Sequence, residues 1–219
     1  MDKTAIQTIF LDYDGTLHDS MHIYGPAFLK AYEYLKEHHG APEKDWTYEE
    51  ISQFLGQTPK EMWNAFGKDL TEEAKNKASS IISEEMRRLI EKGEAKLFDG
   101  ALKTLRRLKE KGYALIFISN CKNYYLNAHA KQFGLDELFD SMVCSETYPG
   151  VEEKHRVLSI IKQDYPEEMI IVGDRIHDIE AGKKNNIHTV GATYGFAREG
   201  ELREADLLID DIRELTDIL

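Results

Sequence analysis

From residue 97 onward the sequence alternates short, almost wholly apolar runs with helical stretches, and this constrains the fold more than any other feature. YALIFI, SMVC, EMIIV, IHTV and ADLLI are the runs; GALKTLRRLKEKG precedes the first, KNYYLNAHAKQFG, EEKHRVLSIIKQDY and IHDIEAGKKNN lie between them, and IRELTDIL closes the chain. A strand that is apolar on both faces has to be covered on both faces, and a helix after each strand lets the next run parallel to the last. With the earlier run AIQTIFLD at 5–12, the pattern predicts an α/β fold, a Rossmann-like parallel sheet core with helices on both faces.

Between Met21 and Ile90 the pattern is helical throughout. GPAFLKAYEYLKEHH puts Phe28, Leu29, Tyr32 and Leu35 at helical spacing. Thr47 precedes Glu50 by three residues, as a capping box requires, and Thr58-Pro59 reads as the start of another helix. A longer helix, capped by Thr71 and stopped by Gly93, aligns Ala74, Ala78, Ile81, Ile82, Leu89 and Ile90. The expected organisation is a catalytic core from residues 1–16 and 93–219, interrupted by an inserted all-helical domain over 17–92.

A net charge of −12 argues against a broad basic surface for a nucleic acid polymer or an anionic membrane. Two cysteines, Cys121 and Cys144, are too few for a disulfide framework or a cysteine-rich zinc site. The N-terminus lacks a basic start followed by an apolar run, and no stretch approaches the length of a membrane span. These features set the expectation of a soluble, cytoplasmic protein, with monomer and homodimer both open.

Polar residues gather where the apolar runs stop. The first run ends in Asp12-Tyr13-Asp14-Gly15-Thr16, YALIFI in Ser119-Asn120, and EMIIV in Gly173-Asp174, with Asp178 four residues on. Lys154 stands at the start of the helix after SMVC. In a parallel α/β sheet ligands bind beyond the carboxyl ends of the strands, so these residues are expected at one edge. Four carboxylates there would repel by about 4 kcal/mol per pair at roughly 4 Å and an effective dielectric of about 20. A divalent cation would relieve this, and an all-oxygen donor set suits Mg²⁺.

The set DYDGT, ISN, Lys154 and GDRIHD, in this order, resembles the four motifs of the haloacid dehalogenase superfamily of phosphohydrolases with a helical cap, and TYGFAREGEL is similar to its phosphoglycolate phosphatase-like members. His155 stands after Lys154 where the family often has proline, and Arg175 is a less common neighbour for Asp174. The resemblance implies a Mg²⁺-dependent phosphatase acting on a small phosphorylated metabolite, with a cap that opens and closes over the site. Asp12 is the implied nucleophile, forming an aspartyl-phosphate, and Asp14 the implied general acid and then base, its carboxyl raised by surrounding negative charge. Ser119 and Lys154 are the implied partners of the phosphoryl oxygens. Asp12, the carbonyl of Asp14, Asp174 and Asp178 are the implied metal set. Gly15 and Thr16 turn the chain with amide N–H groups toward the anion, Asn120 hydrogen-bonds phosphate or the Asp14 loop, and Gly56-Gln57 forms a cap loop near the leaving group. An acid at position 14 favours phosphate over halide chemistry, because a halide leaves without a proton.

Phosphoglycolate, a nucleotide, a sugar phosphate and pyrophosphate remain open as substrates, with the C-terminal resemblance favouring the first. A phosphomutase sharing the aspartyl-phosphate and a non-catalytic phosphometabolite-binding protein are the alternatives. His18 and His22 read as solvated loop histidines, Cys121 as a spare thiol, Trp46 and Trp63 as cap packing, and Arg87-Arg88 as a solvated helix face.

Overall fold

Strands β1 (Thr8–Leu11), β2 (Ala114–Ile118), β3 (Ser141–Val143), β4 (Met169–Gly173), β5 (His188–Ala192) and β6 (Leu207–Ile209) form one sheet in the order β3-β2-β1-β4-β5-β6. All five pairings are parallel. The computed structural model describes residues 5–55, 62–63, 70–151, 153–166 and 168–219. β1 lies between β2 and β4, with Leu11 in register with Phe117 on one side and Val172 on the other. Chain direction across the sheet reverses on either side of β1, the kind of switch point at which ligands enter open α/β sheets.

Helices α4 (Ala101–Glu110), α5 (Asn123–Phe133), α6 (Lys154–Ile161), α7 (Ile176–Asn185) and the short α8 (Leu215–Ile218) flank the strands. Alternation divides the sheet into two faces. Phe10, Ile116, Ile118 and Ile171 share one core with Val157, Leu158 and Ile161 of α6 and Ala181 of α7. Fully burying such side chains contributes about 1.5–3 kcal/mol each. The continuous apolar character of β1 and β4 thus follows from their central positions, where every residue is buried.

The chain divides into two compact units, Met1–Asp19 with Lys96–Leu219, and Ser20–Ala95. Each division falls three residues later than the sequence boundary. Where the first unit is interrupted, the Asp19 amide donates to the Lys96 carbonyl at 2.9 Å.

The inserted unit is helical: α1 (Met21–His39), α2 (Tyr48–Ser52) and α3 (Glu72–Glu91). The Thr47–Glu50 capping box is formed, and Thr71 accepts from the Ala74 amide. Phe28 packs on Tyr32, Trp46 and Phe54, and the buried Trp63 donates Nε1–H to Ser79 Oγ at 2.7 Å. The Thr58-Pro59 helix start lies outside the described residues. Two expectations change. Leu29 is 46% exposed, because the inner face of α1 runs through Phe28, Ala31, Tyr32 and Leu35. Arg88 is not merely solvated: with Lys30 it neutralises Glu85, which is buried on the inner face of α3.

Close packing of α7 on the sheet depends on Gly182, where a Cβ would lie 2.2 Å from Thr189 Cγ2 and 2.7 Å from Ile171 Cγ2. Gly182→Ala is expected to cost about 1–3 kcal/mol through overpacking, read from the urea midpoint. An unchanged midpoint would show that α7 can move away without penalty.

Candidate active site

Two strand ends and two helix starts converge. Asp12 follows β1, Asp174 follows β4, Asp178 lies in the first turn of α7, and Lys154 is the first residue of α6. By strand parity Asp12 continues the Phe10 face, the one covered by α6 and α7. Lys154 Nζ lies 2.8 Å from Asp12 Oδ1 and 2.6 Å from Asp178 Oδ1, all three groups being buried. Asp12, Asp174 and Asp178 each offer a carboxylate oxygen within 4.8 Å of the others.

The turn after β1 fixes this arrangement. Gly15 has φ +84°, and a Cβ there would meet Asp174 Oδ2 at 2.1 Å, so only glycine allows the carboxylate to come so close. Thr16 Oγ1 donates to Asp174 Oδ1 at 3.2 Å and the Phe196 amide donates to Oδ2 at 2.7 Å. Asp178 Oδ2 accepts from the Arg175 amide at 3.0 Å. Arg175 itself turns to Glu201, with Nε–H donating to Oε2 at 2.7 Å and Nη2–H to Oε1 at 3.1 Å. Its role is therefore to tie the C-terminal 194–201 segment to the base of the site.

Electrostatics follow from burial. Desolvation and then Asp178 push the Asp12 carboxyl up to about 7, despite the ammonium of Lys154. Desolvation, Asp12 and Asp178 hold Asp174 well above the usual carboxylate range. Lys154 is held above its ordinary value, since Asp12 and Asp178 outweigh its own desolvation. One ammonium among three carboxylates leaves two negative charges unbalanced when all ionise. A divalent cation supplies that charge, and the all-oxygen donor set suits a hard ion. The residues present fit such a metal.

Asp14 has partners of its own. Its carboxylate Oδ1 faces hydrogen-bond donors, Tyr125 OH at 2.7 Å and His18 Nδ1 at 2.8 Å. His18 is not a solvated loop histidine; it is 0% exposed and stacks on Tyr13 with ring centroids 5.1 Å apart. His22 is exposed. The Gly15 amide donates to the His18 carbonyl and the Thr16 amide to the Tyr13 carbonyl, so both N–H groups serve the turn itself.

Ser119 is buried one residue beyond β2, and its Oγ accepts from the Cys121 amide at 3.2 Å. Asn120 is exposed beside it. Burial and then Asp14 push the Cys121 thiol up, which leaves it protonated and a poor nucleophile. Gly56 and Gln57 lie outside the described residues. Tyr125, Phe196 and Glu201 were not among the expected site residues, although the last two lie in TYGFAREGEL, because each reaches the site through a contact more than 20 residues away in the chain.

His129 closes the far side of this cluster, its Nδ1 lying 2.6 Å from Tyr13 OH. Burial, then His18, lowers it from 6.5 to about 3, so it accepts the phenolic proton as a neutral ring. The unfolded chain binds this proton near 6.5 and the folded chain only near 3. Stability is therefore expected to fall as pH drops below about 6.5, by up to about 1.4 kcal/mol per pH unit from this residue. Urea denaturation at about pH 7 and about pH 5 should show a shallower loss for His129→Gln. An equal loss in both proteins would place the acid sensitivity elsewhere.

No helix of the described residues is long and apolar enough to cross a membrane. The haloacid dehalogenase-like hydrolase family matches residues 9–192. Over its whole length the chain is 26% identical to 99% of a phosphoglycolate phosphatase from Chromobacterium violaceum. It is 23% identical, over its whole length and 99% of the relative, to the pyrophosphatase PpaX from Bacillus pumilus. The solved haloacid dehalogenase-like hydrolase from Streptococcus pneumoniae superposes with a TM-score of 0.81 at 24% identity, over 98% of each chain. With Asp12, Asp174 and Asp178 gathered as its phosphoryl-transfer chemistry requires, this chain belongs to the haloacid dehalogenase-like hydrolases.

Proposed function

We propose that this protein is a Mg²⁺-dependent phosphatase that hydrolyses a small phosphomonoester through an aspartyl-phosphate on Asp12. The observation that carries the reading is the buried Lys154 held between Asp12 and Asp178, with Asp174 alongside. Such a cluster is costly to bury without a task or a counter-ion. Mg²⁺ held by Asp12, Asp174, Asp178 and the Asp14 carbonyl would offset charge on the phosphoryl oxygens.

An Asp12 oxygen attacks phosphorus as the bond to the ester oxygen breaks, and Asp14 gives its proton to that oxygen, releasing an alcohol. Water then attacks the acyl phosphate, its proton passes to Asp14, and inorganic phosphate leaves with Asp12 restored. Lys154 balances charge at Asp12 through both steps. Ser119, at the end of β2, is assigned to a phosphoryl oxygen, and Asn120 to the phosphate or the Asp14 loop. Full-length similarity to a phosphoglycolate phosphatase supports phosphoglycolate as the first substrate to try. The equally long match to a pyrophosphatase is the reason to try phosphoanhydrides beside it.

Phosphate release from a panel of phosphorylated metabolites should require Mg²⁺ and fall by about a thousandfold or more in Asp12→Asn. Release that persists in the variant would refute the nucleophile. Transfer of phosphate between substrate hydroxyls without net release would identify a phosphomutase instead. Mg²⁺ at about 100 times its Kd should stabilise the fold by about 2.7 kcal/mol, and Asp174→Asn should lose most of that gain.

A further inference from the structure

Asp14 is held by two residues that the reaction scheme does not use. Asp14 Oδ1, Tyr125 OH and His18 Nδ1 form a triangle with sides of 2.7, 2.8 and 3.0 Å. All three residues belong to the core unit. Tyr125 is buried, and desolvation and Asp14 keep its phenol protonated, so the O–H donates to Oδ1. With that oxygen already an acceptor, a hydrogen bond from His18 requires the proton on Nδ1, which fixes the ring tautomer.

Both donors are themselves immobilised. The His18 amide donates to the Tyr13 carbonyl at 2.8 Å and its carbonyl accepts from the Gly15 amide at 2.9 Å. The imidazole lies flat on the Tyr13 ring and edge-on to His129, with centroids 4.6 Å apart. Tyr125 packs on Tyr13 and on His129. Tyr13 is anchored by its bond to His129 Nδ1. By contrast the Asp14 side chain is 36% exposed. A part-exposed carboxylate would sample several rotamers, and two fixed donors on one oxygen restrict it to the orientation seen.

We propose that Tyr125 and His18 are positioning residues that clamp Asp14 by Oδ1 in the orientation from which it serves the leaving group and water. The inference rests on the assignment of Asp14 as general acid. The clamp leaves the nucleophile untouched, because Asp12 has its own support from Lys154 on the opposite face of the strand.

The test compares kcat/KM for para-nitrophenyl phosphate, whose leaving group needs no proton, with that for the best alkyl phosphate of the metabolite panel. Tyr125→Phe and His18→Leu should each lower the alkyl-to-aryl ratio by about tenfold or more, within the hundredfold and larger range of general acid catalysis. His18→Asn, which keeps an N–H donor near the Nδ1 position, should recover most of the ratio. Equal losses on both substrates, or no loss on either, would overturn the clamp and leave these residues as packing. Asp14→Asn is the reference. If it lowers the ratio while Tyr125→Phe and His18→Leu do not, the clamp alone is wrong; if it does not, the assignment of Asp14 as the acid is wrong and the clamp falls with it. Near-UV circular dichroism and the Mg²⁺-induced thermal shift report folding of each variant, and the His18→Leu and His18→Asn pair decides the matter if Tyr125→Phe does not fold.

Discussion

The rest of the core is arranged around one buried charge cluster, Lys154 between Asp12 and Asp178 with Asp174 beside them. Burying ions costs several kcal/mol each unless the geometry repays it, and a pair broken by removing one partner costs about 3–5 kcal/mol. The surroundings repay it in detail: the Phe196 and Arg175 amides and the Thr16 hydroxyl all donate to these carboxylates. Such close approach needs backbone without side chains. A Cβ at Gly15, Gly173 or Gly195 would lie 2.1 to 2.4 Å from an aspartate atom or a carbonyl of the turn. The glycines around the site are therefore consequences of the carboxylates.

Strand alternation alone would put Asp12 and Asp14, two residues apart, on one face, and it is the turn after β1 that separates them. Asp12 continues the Phe10 side, toward α6 and α7, where Lys154 waits. Tyr13 points the other way, onto Phe117 of β2 and His129 of α5. The turn at Gly15 then leaves Asp14 against Tyr125 and His18. One acid is buried among charges and the other sits part-exposed beside the aromatic rings of Tyr125 and His18. Two carboxylates two residues apart thus occupy different environments, as the proposed nucleophile and proton carrier should.

Much of this was legible in the sequence, and the reasons are local. Continuous apolar runs between helical stretches determined a parallel sheet, because only central strands can be apolar on both faces. Acids at the ends of those runs and a lysine at a helix start pointed to one edge, because strand ends and the helix starts that follow them share an edge in such a sheet. Thr47-Glu50 and Thr71 determined two helix starts, because a cap is a contact between residues three apart.

What only the tertiary structure decided involves partners distant in the chain. Leu29 faces solvent because helical spacing alone does not say which side of α1 is inner. Arg175, beside Asp174 in the chain, is tied to Glu201, 26 residues on. His18 looked like a loop histidine and is sealed by Tyr13, Tyr125 and His129, the last two more than 100 residues away. A histidine's burial, tautomer and hydrogen bonds are set by what packs around it. The sequence determined that two acids stand at the end of β1; the folding of α5 against them decided which oxygen of Asp14 is held.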